Sequence, residues 1–160
     1  MKPKQYKTYA KNRSPRLKGF DYSTDRPYFI TVCTKKGMSV LKGDFALEIT
    51  QCLRQLREKY SFKIYAYCVM PDHIHLLLAP GDSKLSVSRF IQGFKSIITR
   101  IYSSTGRQGK LWQRYFYDHV LRNEEDLKNV ALYVLENPVR KGMVENWQDY
   151  PYCGIVDKLE

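Results

Sequence analysis

The stretch that decides the fold is residues 62–79, FKIYAYCVMPDHIHLLLA. Residues 62–70 are rich in apolar and aromatic side chains, which predicts a β-strand. We expect four of its side chains on one face of that strand: Ile64, Ala66, Cys68 and Met70. A Pro-Asp pair then makes a short turn, and residues 73–79 return as the second strand of an antiparallel hairpin.

The segments on either side of this hairpin alternate between strand and helix patterns. A strand is predicted over residues 28–34, and apolar residues at helical spacing predict a first helix over 44–60. A second helix is predicted over about 85–102 and a fourth strand over 112–121. Asn123 can cap a third helix, and Asn137 ends it because a residue before proline is pushed out of helical geometry.

This order, βαββαβ plus a C-terminal helix, predicts an α+β protein with the ferredoxin-like split βαβ arrangement. We expect a four-stranded antiparallel sheet with helices on one face, which leaves the other face free to hold a site. The predicted organisation is a basic arm over residues 1–25, a catalytic domain over 26–142 and a C-terminal extension over 143–160.

The charge of the chain is strongly basic and unevenly distributed. The 160 residues carry a net charge of +11, with seven bases and no acid in residues 1–18. Residues 84–122 have eight bases against one acid, whereas residues 123–160 are acidic. Such blocks attract polyanions, of which nucleic acid is the commonest, although a solvated surface with a basic arm has the same composition. The candidate nucleic-acid contacts are Lys7, Lys11, Arg13, Arg16, Arg89, Lys95, Arg100, Lys110, Arg114 and Arg122.

Three other features of the sequence bear on the expected location of the protein. No run of about 18 apolar residues occurs, so we expect no membrane partner. The four cysteines form no CxxC pair, and the basic N-terminal segment has no apolar stretch behind it. We therefore expect reduced thiols and a cytoplasmic protein.

The returning strand of the hairpin carries the first candidate site, His73 and His75. Residues i and i+2 of a strand project from the same face, about 7 Å apart, so the two imidazoles can converge on one cation. The alternative is a pair of hydrogen-bonded histidines in the sheet. Two ligands are too few for a metal, so a third must come from another part of the chain.

The third predicted helix supplies further candidates. Its apolar stripe is Leu127, Val130, Ala131, Val134 and Leu135. Tyr133 and Asn137 fall away from that stripe, four residues apart and therefore adjacent on the helix surface. A phenol beside an amide, presented to a histidine pair, would combine a nucleophile with a metal ligand. The alternative is an exposed tyrosine and an asparagine that merely ends the helix.

Several motifs of the chain occur together and in order. They are His73-Ile74-His75, Trp112-Gln113-Arg114, Asp118 to Arg122 and the Tyr-x-x-x-Asn-Pro helix with its continuation to Gly142. In these residues, over about 26–150, the chain resembles the HUH single-tyrosine transposases, most of all the REP-associated tyrosine transposases. Many members of the wider group have glutamine where this chain has Asn137, and asparagine is shorter by one methylene.

The resemblance implies a catalytic site and a substrate. Tyr133 would attack a DNA phosphate and become joined to the 5′ phosphate, releasing a 3′-OH, while His73, His75 and Asn137 would hold Mg²⁺ or Mn²⁺. The partner would be single-stranded DNA with a hairpin or palindromic repeat, bound by a monomer or a homodimer. His119 would contact DNA or be a hydrogen-bonded structural histidine, with a proton shuttle beside Asp118 as a third role.

Three other functions compete with this hypothesis. An RRM-like RNA-binding module shares the βαββαβ order, and Tyr28, Tyr65 and Tyr67 could stack bases on its sheet. A two-histidine phosphoesterase needs a second His-x-Thr/Ser motif, which the chain lacks. A rolling-circle initiator or relaxase would share the histidine pair, but the C-terminal resemblance favours a transposase.

Overall fold

The computed structural model describes residues 25–121 and 127–159. Its strands are β1 (Tyr28–Cys33), β2 (Lys63–Met70), β3 (His73–Ala79), β4 (Tyr117–Val120) and β5 (Cys153–Ile155). Its α-helices are α1 (Gly43–Tyr60), α2 (Val87–Ser104), α3 (Leu127–Leu135) and α4 (Asn137–Arg140). Short 3₁₀ helices lie at Lys35–Gly37 and Trp147–Asp149.

The strands form one antiparallel sheet in the order β4-β1-β3-β2-β5. The first four strands have the ferredoxin-like order, which confirms the predicted fold class. The predicted count of four strands was one too low, because β5 adds to the free edge of β2. Three residues of the segment that we expected to be an extension, 143–160, therefore complete the sheet. Tyr150 anchors this segment by donating its hydroxyl to the Val69 carbonyl at 2.6 Å.

One face of the sheet is covered by α1 and α2. Ile74, Leu76 and Leu78 of β3 are fully buried against these helices. The Ser86 hydroxyl caps α2 by accepting from the Arg89 amide at 3.2 Å. The apolar stripe of α2 thus faces the sheet, and its polar side faces outward.

The second face carries α3, so helices lie on both faces and the prediction of one covered face was wrong. Val130, Ala131, Val134 and Leu135 pack with Leu77 and its neighbours in a second buried cluster. The physical reason is that this face of the sheet is itself apolar over much of its area, and an apolar sheet face must be covered. The free area that we expected is reduced to the part of the face around the two histidines of β3.

A β-bulge in β2 changes which side chains share a face. Ile64 pairs with Leu78 and Ala66 pairs with Leu77, which leaves Tyr65 as the extra residue. Ile64 consequently faces α1 and α2, whereas Ala66 and the rest of its predicted set face α3. We expected Ile64 to share a face of the strand with Ala66, Cys68 and Met70, and that expectation was wrong for Ile64.

The remaining boundaries differ from the predictions at a few points. The strand predicted over residues 112–121 is ordered as β4 only from Tyr117, with an isolated bridge between Trp112 and Thr34 before it. Asn123, the predicted cap of α3, lies outside the described residues, as does most of the N-terminal arm. Among the residues described, none of the helices is both long and apolar enough to cross a bilayer.

Candidate functional site

The two histidines of β3 lie side by side on the face of the sheet that carries α3. The ring centroids of His73 and His75 are 4.6 Å apart, with the rings inclined at 70°. Ile74 between them points into the opposite core and is fully buried. This is the arrangement that the strand spacing predicts.

Each imidazole uses its Nδ1 atom for a protein partner. His73 Nδ1 lies 2.6 Å from Asp72 Oδ1, and His75 Nδ1 lies 2.9 Å from Thr31 Oγ1. A carboxylate can only accept, so Nδ1 of His73 carries the proton and Nε2 keeps its lone pair. In both rings, Nε2 is the nitrogen left for another ligand, as is usual for histidines that bind a metal through an outer partner.

The environment of the pair favours neutral imidazoles. Burial lowers the pKa of His73 below its usual value, against the opposing effect of its bond to Asp72. Burial lowers the pKa of His75 further, well below the usual value, and the charges of His73 and Arg140 act in the same direction. Neutral imidazole is the form that ligates metal ions.

Asn137 reaches the pair from the helical side. Its side chain is buried, and its Nδ2 atom lies 2.9 Å from Nε2 of His73. Helix α3 ends at Leu135, two residues before the predicted end at Asn137, and Asn137 begins α4, with Pro138 in the first turn. Proline is tolerated there because first-turn N–H groups need no helical acceptor, and its missing N–H interrupts the bonding between α3 and α4.

Tyr133 completes the group of predicted residues. Its ring is half-buried, 6.0 Å from that of Phe29 and 6.5 Å from that of His75, measured between centroids. The structure thus brings Tyr133, Asn137 and both histidines together from two distant parts of the chain. A fifth residue, Arg140, has its guanidinium carbon over the Tyr133 ring, 3.9 Å from the ring centroid. Sequence reasoning missed Arg140, and its only signal was a cation in the Asn-Pro-Val-Arg motif.

The donor set at this point is two imidazoles and one amide. Within residues 25–121 and 127–159, no group of three or more His, Cys, Asp or Glu side chains could hold a metal ion, so no carboxylate joins the two imidazoles as a direct ligand. Imidazole with amide oxygen suits Mn²⁺ and similar divalent ions. The residues fit such an ion if the Asn137 amide turns its oxygen toward the metal and releases His73 Nε2.

A basic groove of about 800 Å³ runs along the outward side of α2. Arg89, Arg100 and Arg114 line it, as the charge map predicts. Lys95 also lines the groove, but its Nζ atom donates to the carbonyl of Gln113 at 2.8 Å. That ammonium is therefore used in part to fix the segment before β4.

The other basic residues that we predicted to contact nucleic acid lie either on the described surface or outside the described residues. Lys110 is exposed in the loop after α2. Lys7, Lys11, Arg13, Arg16 and Arg122 lie outside the described residues.

Comparison with known proteins identifies the family. Residues 23–137 match the family described as Transposase IS200 like. The chain belongs to this family. A Haemophilus influenzae protein whose name contains "REP-associated tyrosine transposase" is 31% identical over 84% of this chain and 82% of its own length. The REP-associated tyrosine transposase of Escherichia coli K12 is 27% identical, over 78% of this chain and 73% of its own.

A solved structure has the same fold as this IS200-like transposase. It is described as a REP-associated tyrosine transposase bound to a REP hairpin, and it matches with a TM-score of 0.68 at 21% identity. The match covers 86% of this chain and 82% of the other. At this identity the likeness supports the fold.

The RRM-like alternative fails in this IS200-like transposase because its base-stacking platform does not exist. Tyr28 is fully buried under the helices of the first face, and Tyr67 is buried there as well. Tyr65 is buried in the cluster beneath α3. An RRM needs these aromatic rings on an open sheet face.

His119 lies in the sheet of this IS200-like transposase but apart from the histidine pair. It is opposite Phe29 in the pairing of β4 with β1, on the α3 side of the sheet. Asp118 is opposite Ile30, whose side chain is in the other core. Successive strand residues point to opposite faces, so Asp118 does not orient His119 as a proton-shuttle pair would require.

Proposed function

We propose that this IS200-like transposase cleaves and rejoins single-stranded DNA through a covalent bond between Tyr133 and a 5′ phosphate. The observation that carries the proposal is the meeting of Tyr133 and Asn137 with the two histidines of β3. The arrangement combines a nucleophile with ligands for a divalent metal.

The reaction balances without an external energy source. The Tyr133 oxygen forms a bond to phosphorus, the bond from phosphorus to the 3′ oxygen breaks, and that oxygen takes up a proton to become a 3′-OH. The phenolic proton passes to solvent. Because the phosphotyrosine conserves the energy of the broken bond, attack by a 3′-OH reverses the step and rejoins DNA without ATP.

The residues of the site have separate tasks in this step. A neutral phenol is a weak nucleophile, so the phosphate must be activated. Mg²⁺ or Mn²⁺, when bound, would withdraw charge from the phosphate oxygens. His73, His75 and Asn137 would hold the ion, and Asp72 and Thr31 would fix the orientation of the imidazoles.

We propose hairpin-forming repeat DNA as the substrate. Two relatives carry the name REP-associated, and the solved structure with the same fold is bound to a REP hairpin. The groove residues Arg89, Arg100 and Arg114 would contact the phosphates of this DNA. The groove lies on the α2 side of the sheet and Tyr133 on the α3 side, so DNA that reaches both passes around an edge of the sheet.

The test is the formation of a covalent adduct. The protein is mixed with labelled single-stranded hairpin DNA and Mn²⁺, and the products are separated under denaturing conditions. We expect an adduct with the wild-type protein and with Tyr60→Phe, whose ring packs against the first core, and none with Tyr133→Phe. Chelation should abolish cleavage and leave most DNA binding intact.

Two results would contradict the proposal. An adduct formed by Tyr133→Phe at the wild-type level would show that another residue is the nucleophile. Cleavage that survives both chelation and His75→Ala would remove the metal site from the mechanism.

A further inference from the structure

The Tyr133 ring is in contact with the guanidinium of Arg140. The guanidinium carbon lies 3.9 Å from the ring centroid, whereas the other cation-to-ring contacts among the described residues span 5.3 to 6.0 Å. Nη2 of the same side chain donates to the Tyr133 carbonyl at 2.8 Å. Arg140 therefore holds both the ring and the backbone of this tyrosine.

This double contact depends on the break between α3 and α4. Tyr133 is on α3, and Arg140 is the last residue of α4, which begins with Asn137. The short helix α4 thus carries both the amide that touches His73 and the cation that stacks on Tyr133. The position of the ring relative to the histidines is fixed through one four-residue element.

The ring has a second neighbour on the sheet. Phe29 approaches it at 6.0 Å between centroids, with the two planes inclined at 67°. An edge contact of this kind covers less of the ring than a cation above the ring face does. A guanidinium that lies over the ring and also bonds the Tyr133 carbonyl restricts rotation of the ring, and a lysine ammonium, which has no plane, does not offer the same surface.

We infer that Arg140 is a positioning residue, which holds the Tyr133 ring in the orientation from which its hydroxyl attacks the phosphate. This inference rests on the proposed role of Tyr133 as the nucleophile. Arg140 acts through the tyrosine, and its exposed side chain places a positive charge over the tyrosine ring. The loss expected on its removal is in the rate of attack rather than in the affinity for DNA.

The first experiment separates rate from binding. Single-turnover adduct formation is measured at saturating hairpin DNA and Mn²⁺ for Arg140→Met, Arg140→Lys and the matched control Lys141→Met. We expect the two Arg140 variants to react at least about tenfold more slowly, and Lys141→Met to stay within about twofold of wild type. These values correspond to about 1.4 and 0.4 kcal/mol in the barrier.

The conservative variant Arg140→Lys distinguishes a positioning role from a loss of folding. Arg140→Lys keeps the charge and a donor for the Tyr133 carbonyl, so it preserves the fold even if Arg140→Met does not. A wild-type rate for Arg140→Lys at saturating DNA would overturn the inference. So would a loss in both variants that is confined to the Kd for DNA.

The second experiment needs no cleavage at all. 3-Fluorotyrosine is introduced at position 133, and its ¹⁹F spectrum is recorded without DNA or metal. We expect Arg140→Met to shift or broaden the resonance and Lys141→Met to leave it unchanged. An unchanged spectrum in Arg140→Met would overturn the inference. If the wild type forms no adduct but Arg140→Met changes the spectrum, the proposed function fails while Arg140 still holds the ring.

Discussion

The two histidines of β3 differ in the chemistry of their outer partners. His73 is paired with the carboxylate of Asp72, which is half-exposed, and His75 with the hydroxyl of Thr31. A carboxylate fixes the Nδ1–H tautomer and increases the basicity of Nε2, whereas a hydroxyl can donate or accept. Of these two outer partners, Asp72 should contribute more to metal affinity.

We expect Asp72→Asn to weaken Mn²⁺ binding by about tenfold or more, since outer partners of metal-binding histidines typically contribute 10–100-fold. Titration calorimetry on the DNA-free protein measures this directly. Asp82→Asn is the control, because Asp82 is an exposed loop residue outside the site. Equal affinity in Asp72→Asn and wild type would show that the Asp72 carboxylate does not contribute to metal binding through His73.

At this scale, the sequence predicts the residues whose grouping depends on local spacing. His73 and His75 alternate along one strand, and Tyr133 and Asn137 are four residues apart, so their relations follow from the periods of strand and helix. Thr31 and Arg140 could not be found in this way. The first depends on the register between β1 and β3, and the second on the break before Pro138.

Among the elements, α2 and the segment before β4 form one unit around the basic groove. The Lys95 ammonium donates to the Gln113 carbonyl, and Trp112 Nε1 donates to the Lys95 carbonyl at 3.2 Å. Arg100 lines the same groove but is exposed. The predicted DNA contacts therefore include residues with different roles.

Lys95→Met and Arg100→Met should separate these roles. Lys95→Met should lower the free energy of unfolding by about 1.5–3 kcal/mol, because a charge-assisted hydrogen bond is lost. Arg100→Met should change it by less than about 0.5 kcal/mol, as exposed substitutions usually do. Urea unfolding provides this comparison.

Lys95→Met and Arg100→Met should rank in the opposite order in their effect on DNA binding, with the larger effect in Arg100→Met. Arg100→Met should reduce the slope of log affinity against log salt by about 0.7, the value for one phosphate contact on a single strand. A slope unchanged in Arg100→Met would remove this residue from the DNA interface.

The sequence predicts the long elements well and the short or context-dependent ones poorly. The β3 bounds, 73–79, agree with the prediction because a turn signal and an apolar run mark both ends. β5 has three residues, including Gly154, and carries no period of its own. The packing of α3 on the second face and the bulge at Tyr65 arise from tertiary contacts rather than from local pattern.

Over the whole molecule, the C-terminal segment ties the sheet to α1. Nε of Arg57 donates to Asp157 at 2.9 Å, and the same carboxylate accepts from the Ile64 amide at 2.8 Å. The bond to Arg57, followed by that to Ile64, holds the pKa of Asp157 below its ordinary value. This carboxylate therefore stabilises the fold when it is ionised.

The sign of the pH dependence follows from that lowered pKa. The contribution of Asp157 is fully present above its unfolded pKa of about 3.9 and is lost as the pH falls through the lower folded pKa. We expect Asp157→Asn to be less stable than wild type at pH 7 and to approach it as the pH falls below about 4. Urea unfolding across this range is the measurement, and a constant difference would contradict the assignment.

Helix α3 packs on β2 and β3 of its own chain. This packing predicts what happens when two inactive variants are mixed. When the tyrosine and the histidines of a site come from the same chain, two different inactive variants cannot restore a site by combining their residues. We expect an equimolar mixture of Tyr133→Phe and His75→Ala chains to remain as inactive as either variant alone. Complementation between the two would mean that the tyrosine helix is exchanged between subunits, with one working site in each mixed dimer.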